Sequence, residues 1–219
     1  MDKRGLLARS ELLAALGDDA VGVLADASRE VSLGRGEVVF DQDEAGRELY
    51  MVASGRIAIA KRSADGRSSV VALMEEEDLF GEMSLFDGQG RSAEARALEP
   101  SRLIAVPYEA VRSSLQERPE ALWTVVALLA NRLRVTDEAL ADSMFLDVTG
   151  RTAKRLLELA GDSDEFTLPV TQEELAGMVG ASRERVNKAI ATFIRLGWLE
   201  LSDRRYRIVE RTKLGQRAL

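Results

Sequence analysis

The residue types best suited to chemistry fall in two stretches of the chain. The first is FGEMSLFDGQGRSAEA, Phe80 to Ala95. Here Gly81 permits close backbone approach, and Glu82 supplies a carboxylate that accepts from sugar hydroxyls. Arg91 offers a guanidinium fork for phosphate oxygens, and Ser92 a hydroxyl beside backbone N–H groups. Taken alone, Glu82 and Arg91 could equally be a structural ion pair. The second stretch is TQEELAGMVGASRERVNKAIATFIRLGWLEL, Thr171 to Leu201. Thr171 with Glu174 makes a capping box, Gly180 supplies a turn, and Ser182 caps a second helix. Leu175, Met178 and Val179 give the first helix an inward face. Val186, Ile190, Phe193 and Ile194 do so for the second. Arg183, Glu184, Arg185 and Lys188 are left outward near the start of that second helix, where a recognition helix presents side chains to the major groove. Arg and Lys can pair with guanine O6/N7, and Glu can accept from cytosine N4. A solvated charged face is the plainer alternative for the same run.

Composition closes many other chemistries, leaving carboxylate-only magnesium or paired-carboxylate chemistry possible in principle. The 219 residues include neither Cys nor His. That removes disulfides, thiolate nucleophiles, Cys/His zinc sites and every Ser-His-Asp or Cys-His arrangement. No catalytic site, metal or tightly bound cofactor is expected. A cupin-type barrel enzyme is disfavoured because its usual metal site is built on histidines. No apolar run is long enough to span a membrane. The N-terminus lacks a clean secretion signal, so a cytoplasmic protein without membrane contact is expected. The net charge of −7 is unevenly spread. Residues 1–149 hold 17 basic and 27 acidic side chains, whereas residues 150–219 hold 13 and 10. An acidic body with a basic C-terminal piece permits phosphate contact while limiting nonspecific adhesion to DNA.

Three kinds of element must position these residues. One helix is expected over Ser10–Leu24. Between about Val31 and Val106, short β-rich runs such as EVVF, LYMVAS, RIAIAKR and SVVALM are broken by glycines, which predicts a barrel or sandwich. Ala64-Asp65-Gly66 reads as a hairpin turn. A long helical region then spans Pro107–Ser143. Its seam, Leu122, Val126, Leu129, Leu133, Thr136, Leu140 and Ser143, steps alternately by four and three, as in a two-stranded coiled coil. The pattern favours a homodimer, although a helix packed on its own domain would also fit. Asp147 is placed to cap a further helix, and MFLDVTG, with its Thr-Gly, to act as a hinge over Phe145–Gly150. Two short helices and a hairpin around Ser202–Arg205 complete the chain.

From about residue 20 to the end, the chain resembles the cyclic AMP receptor protein (Crp/Fnr) family of bacterial regulators. The resemblance rests on FGEMSLFDGQGRSA, RLRVTDEALADSMFLDVTGR and TQEELAGMVGASRERVNKAI, which stand in the family's order. It implies an α+β architecture: a jelly-roll β-roll that binds a cyclic nucleotide (residues 1–108), a dimerisation helix with hinge (109–146), and a winged helix-turn-helix (147–219). Gly81 and Glu82 would meet the ribose, and Arg91 and Ser92 the cyclic phosphate, with Met83, Ser84 and Ala93 lining the same pocket. Arg132 would brace Glu82. Thr136 would contact the base within its own subunit, and Asp137 would reach into the partner's pocket. The family usually carries Ser or Asn at that last position. A carboxylate accepts but cannot donate, which suits the paired N1–H and N2–H of guanine better than adenine. The effector is therefore expected to be cyclic AMP, cyclic GMP or cyclic di-GMP, unless Asp137 is merely solvated or nucleotide control is lost.

In the reading head, Arg183, Glu184 and Lys188 fall on the family's base-reading positions, with Thr171, Gln172, Ser182 and Arg185 beside them. A palindromic operator with TGTGA-like half-sites follows from the resemblance. RNA polymerase is an expected partner, contacted near Gly161–Pro169. Two further readings stay open: a Crp-like regulator that needs no ligand, and a nucleotide-sensing module acting on a protein partner.

Overall fold

The computed structural model describes residues 1–63, 68–203 and 205–219. The hairpin turn expected at Ala64-Asp65-Gly66 lies outside the described residues. The chain forms two compact units, residues 1–67 with 71–133, and residues 68–70 with 134–219.

The first unit opens with three short helices, α1 (Lys3–Leu7), α2 (Glu11–Ala14) and α3 (Asp18–Ala27), rather than one helix over Ser10–Leu24. Ser10 caps α2 through its hydroxyl. Gly17 then takes a φ of +87°, which a right-handed helix cannot contain. Next come strands β1 (Arg29–Leu33), β2 (Val38–Phe40), β3 (Glu48–Ser54), β4 (Ile57–Arg62), β5 (Ser68–Met74) and β6 (Leu79–Phe80). Helix α4 (Met83–Asp87), β7 (Glu94–Ala97) and β8 (Ser101–Pro107) follow. Two four-stranded sheets result, ordered β1-β8-β3-β6 and β2-β7-β4-β5.

Strands β3 and β8 pair antiparallel, with Tyr50 opposite Ala105 and Met51 opposite Ile104. Their apolar runs are continuous because both faces are covered. Tyr50, Val52, Leu103 and Ala105 join Phe40, Ile57 and Phe80 in a core enclosed by the roll. Leu49, Met51, Ile104 and Val106 point the other way, into a second core with Leu7, Leu13, Leu24 and Val111 of the helices. A two-residue period thus splits each strand between two interiors.

The helical stretch expected over Pro107–Ser143 is not continuous. Helix α5 (Tyr108–Glu117) ends before Pro119, which starts a 3-10 turn, and α6 (Leu122–Phe145) begins after it. Proline's missing N–H and fixed φ suit the first turn of a helix rather than its interior. Along α6, Val125 and Leu128 pack with Ala121 on the helical core. Leu122, Val126, Leu129, Leu133 and Leu140 do not; they remain 37 to 61% exposed.

In the second unit, α6 gives way at Leu146 and Asp147 to α7 (Val148–Ala160). Asp147 Oδ1 accepts from the Gly150 N–H at 2.8 Å, the expected cap. The break therefore lies before Thr149-Gly150, which are helical, and not at them. Arg151 bonds the carbonyls of Leu146 and Val179, and Lys154 pairs with Asp142 at 2.6 Å, so side chains span the break. Strand β9 (Glu165–Thr167) follows, then α8 (Gln172–Val179), α9 (Arg183–Arg195), β10 (Leu199–Ser202), β11 (Arg205–Ile208) and α10 (Arg211–Arg217). The sheet order is β10-β11-β9, so the expected hairpin gains a third strand. Ser202 pairs with Arg205, and Arg204 lies outside the described residues. Among the described residues, no helix is long and apolar enough to cross a membrane.

Candidate ligand site and nucleic-acid interface

The Phe80–Ala95 stretch folds as β6, a left-handed glycine, the short helix α4 and a return into β7. Gly81 has φ +80°, and a Cβ there would lie 2.8 Å from Arg91 Nη1. Gly88, at φ +70°, ends α4. Both turns need the freedom that glycine provides.

Glu82 and Arg91 are both buried, at 0 and 4% exposure, yet they do not pair with each other. The ion-pair expectation is corrected here: each charge has found a different partner. Arg132 of α6 donates through Nη1 to Glu82 Oε1 and through Nη2 to the Leu79 carbonyl at 2.7 Å. Arg91 Nη1 donates to the Gly81 carbonyl (2.8 Å) and to the Tyr108 hydroxyl (2.7 Å), while Nη2 donates to the Glu48 carbonyl (2.7 Å). Its guanidinium carbon sits 4.0 Å above the Phe40 ring, a cation–π contact. Phe40, Tyr50 and Phe80 stand mutually 5.4 to 6.0 Å apart beneath it.

Two buried polar atoms at this site have no partner among the described residues: Glu82 Oε2 and Arg91 Nε. One is an acceptor and the other a donor, and each is costly to leave unsatisfied. Nε–H lies on the side edge of the guanidinium with one Nη2–H, and three of the five N–H groups are already used. That edge is the one that grips two oxygens of an anion. Burial pushes the Glu82 carboxyl above its ordinary range, and the Arg132 charge draws it part of the way back. A raised folded pKa means that its contribution to stability is present below the unfolded value and fades as pH rises through the folded one. Glu82→Gln should therefore gain stability relative to the parent chain as pH climbs from the carboxylate range toward neutrality. Chemical denaturation at several pH values would show no pH-dependent difference between the two if Glu82 were freely hydrated.

The remaining expected ligand residues stand as follows. Met83 is exposed, and its sulfur lies 3.5 Å from the exposed Ser92 hydroxyl. Ser84 and Ala93 are buried, and the Ser84 side chain lies beside the Tyr108 hydroxyl. Thr136 and Asp137 lie about one turn beyond Arg132 on α6, both exposed. Sequence reading missed Tyr108 and Phe40, which carry no motif of their own.

In the second unit, Thr171 and Glu174 form the reciprocal capping box, at 3.2 and 2.7 Å. Gly180 takes φ +68° and turns the chain into α9, whose N-cap is Ser182. Val186, Ala189, Ile190 and Phe193 are buried. Ile194, expected inward, is 40% exposed, because it falls at the edge of that stripe. Arg183, Glu184, Arg185 and Lys188 are exposed. Among the described residues, none of their side chains makes a hydrogen bond or ion pair, so their donors and acceptors are unspent. Gln172 differs: its amide Nε2 donates to the Tyr206 hydroxyl at 2.7 Å, and its buried Oε1 has no partner among the described residues.

Comparison with known proteins assigns a domain family to each of the two stretches. Residues 30–118 match the cyclic nucleotide-binding domain, and residues 150–217 the Crp-like helix-turn-helix domain. A CRP-like cAMP-activated global transcriptional regulator of Mycobacterium tuberculosis is 38% identical over 97% of this chain and 98% of its own. The catabolite activator protein of Thermus thermophilus is 31% identical, with a TM-score of 0.54 over 95% of this chain and 98% of its own. FixK2 of Bradyrhizobium japonicum shares the fold at 21% identity, with a TM-score of 0.79 over 88% of this chain and 98% of that one. With a cyclic nucleotide-binding roll, a long helix and a C-terminal helix-turn-helix in that order, the chain belongs to the Crp/Fnr family of DNA-binding transcriptional regulators.

Proposed function

We propose that the protein is a homodimeric transcription regulator whose grip on a palindromic operator is set by a cyclic nucleotide held in the roll. The observation that carries this reading is the buried pair of unpartnered atoms, Glu82 Oε2 and Arg91 Nε. A ribose hydroxyl would donate to the first. Oxygens of a cyclic phosphate would accept from the second and from the adjoining Nη2–H, with Ser92 adding its hydroxyl. The cAMP-activated relative from Mycobacterium tuberculosis supports cyclic AMP as the effector. Asp137 supports a second reading, because its exposed carboxylate would accept both N–H groups of a guanine edge in cyclic GMP or cyclic di-GMP. Calorimetry with the three nucleotides separates these readings. Tight cyclic AMP binding left unchanged by Asp137→Asn would defeat the guanine preference.

Dimerisation is supported by the exposed apolar seam of α6, whose i, i+4, i+7 spacing suits a second copy of the same helix. Leu133→Asp would place two carboxylates in that seam and should convert the protein to a monomer by analytical ultracentrifugation. A variant that sediments as the parent does would remove the seam from the interface.

Each protomer would then place Arg183, Glu184 and Lys188 in one of two major grooves about one helical turn apart. The ligand acts only if it binds the DNA-competent state better than the other state, so the coupling must be reciprocal. Saturating nucleotide should tighten operator binding, and operator should tighten nucleotide binding by the same factor. Saturation of the roll with no change in a fluorescence-anisotropy titration of DNA would overturn the switch and favour ligand-independent binding.

A further inference from the structure

We propose that Tyr108 is a positioning residue that locks the phosphate-gripping arginine to the sugar-binding turn, and so makes the pocket selective for a 3′,5′-cyclic phosphate over an open-chain 5′-monophosphate. This inference rests on the ligand reading above and deepens it.

The Tyr108 hydroxyl closes a three-membered polar ring. It accepts from Arg91 Nη1 at 2.7 Å and donates to the Gly81 carbonyl, and the same Nη1 donates to that carbonyl at 2.8 Å. Gly81 immediately precedes Glu82, so the ring ties the backbone carrying the sugar acceptor to the side chain carrying the anion donor. Tyr108 is itself fixed. It is the first residue of α5, only 7% exposed, with its hydroxyl set beside the Ser84 side chain of α4. Burial raises its pKa, so at neutral pH the hydroxyl keeps the proton that it donates to Gly81.

The consequence is geometric. With Nη1 committed to Tyr108 and Gly81, and Nη2 to the Glu48 carbonyl, the guanidinium cannot rotate about its stem. Its Nε edge is thereby held in one orientation relative to the Gly81–Glu82 backbone. In a cyclic nucleotide the phosphate is bridged to the ribose and cannot move relative to the sugar hydroxyl, so a fixed arrangement suits it. A 5′-monophosphate has rotatable bonds between sugar and phosphate and would lose that freedom on binding. The fixed pocket therefore favours the rigid ligand, and a loosened pocket would not.

Tyr108→Phe removes only the hydroxyl and keeps the buried ring. Calorimetry with cyclic AMP and with 5′-AMP is expected to show the cyclic nucleotide weakened about tenfold. The affinity for 5′-AMP should change little, so the selectivity ratio falls by a similar factor. Phe40→Leu, which removes the ring beneath the guanidinium but leaves the polar ring intact, should weaken both nucleotides together and preserve the ratio. Should Tyr108→Phe fold poorly in thermal denaturation, Ser84→Ala tests the same link by removing the hydroxyl beside that of Tyr108, with a smaller loss of the same ratio expected. Parent-like selectivity in a folded Tyr108→Phe, or in Ser84→Ala when Tyr108→Phe does not fold, overturns the positioning role while leaving the ligand reading intact. A parent protein that binds none of the cyclic nucleotides overturns both.

Discussion

Arg132→Met is expected to lower the unfolding free energy by about 3 kcal/mol at neutral pH, near the lower end of the range for breaking a buried ion pair. Glu82 is wholly buried, and Arg132 is the cation that bonds its carboxylate. Without that partner the charge sits in the roll with both oxygens in want of donors. The lower end of the range applies because the Arg132 side chain is about one-third exposed, which lets water approach the gap. The loss should shrink on acidification, since a protonated Glu82 no longer needs a cation. The double variant Arg132→Met with Glu82→Gln should recover most of the loss, because a neutral amide costs less to bury. Denaturant unfolding at fixed protein concentration checks both outcomes, concentration being held because self-association would add to stability. An unchanged midpoint in Arg132→Met would mean that the Glu82 carboxylate is hydrated.

Arg183→Ala should cost the largest share of operator affinity. A bidentate arginine–guanine contact contributes about 1–3 kcal/mol of discrimination. On the proposed reading, a palindrome contacted by two protomers would hold the contact twice, so the expected loss is about 2–6 kcal/mol, or roughly 30-fold at the least. Binding to unrelated DNA should change far less, because it depends on charge count and salt. Lys188 carries the same sign of charge but lacks a planar fork, so Lys188→Arg should tighten operator binding by restoring a bidentate donor. Glu184→Ala should instead relax discrimination at a cytosine. A binding selection that returns no palindrome, or half-sites without a GTG core, would contradict this assignment of α9. An Arg183→Ala variant that loses operator and random DNA in equal measure would reduce Arg183 to a phosphate contact.

Local signals in the chain proved readable wherever one turn of backbone suffices to define them. The Thr171–Glu174 box, the Gly180 turn, the Ser182 cap and the Asp147 cap all formed as their spacing required. Boundaries were less legible. Gly17 and Pro119 break helices that apolar periodicity alone would run together, because periodicity does not register a positive φ or a missing N–H. Ile194 shows the same limit: being apolar, it reads as core, yet α9 had already filled its inward stripe with Val186, Ala189, Ile190 and Phe193.

By itself, the sequence determined the order of β-rich roll, long helix and helix-turn-helix, the absence of Cys and His chemistry, and the identity of the charged side chains offered at α9 and around Gly81. Only the tertiary structure decided how the charges of the roll are partnered. Glu82 and Arg91, nine residues apart, are natural candidates for each other, but the fold gives Glu82 to Arg132, 50 residues away, and ties Arg91 to Tyr108, 17 residues away. Partnership between buried charges depends on which backbones the sheets and α6 bring within hydrogen-bonding distance, and no local spacing encodes that. The same long-range packing leaves Glu82 Oε2 and Arg91 Nε without partners among the described residues, and the proposed ligand reading rests on that pair.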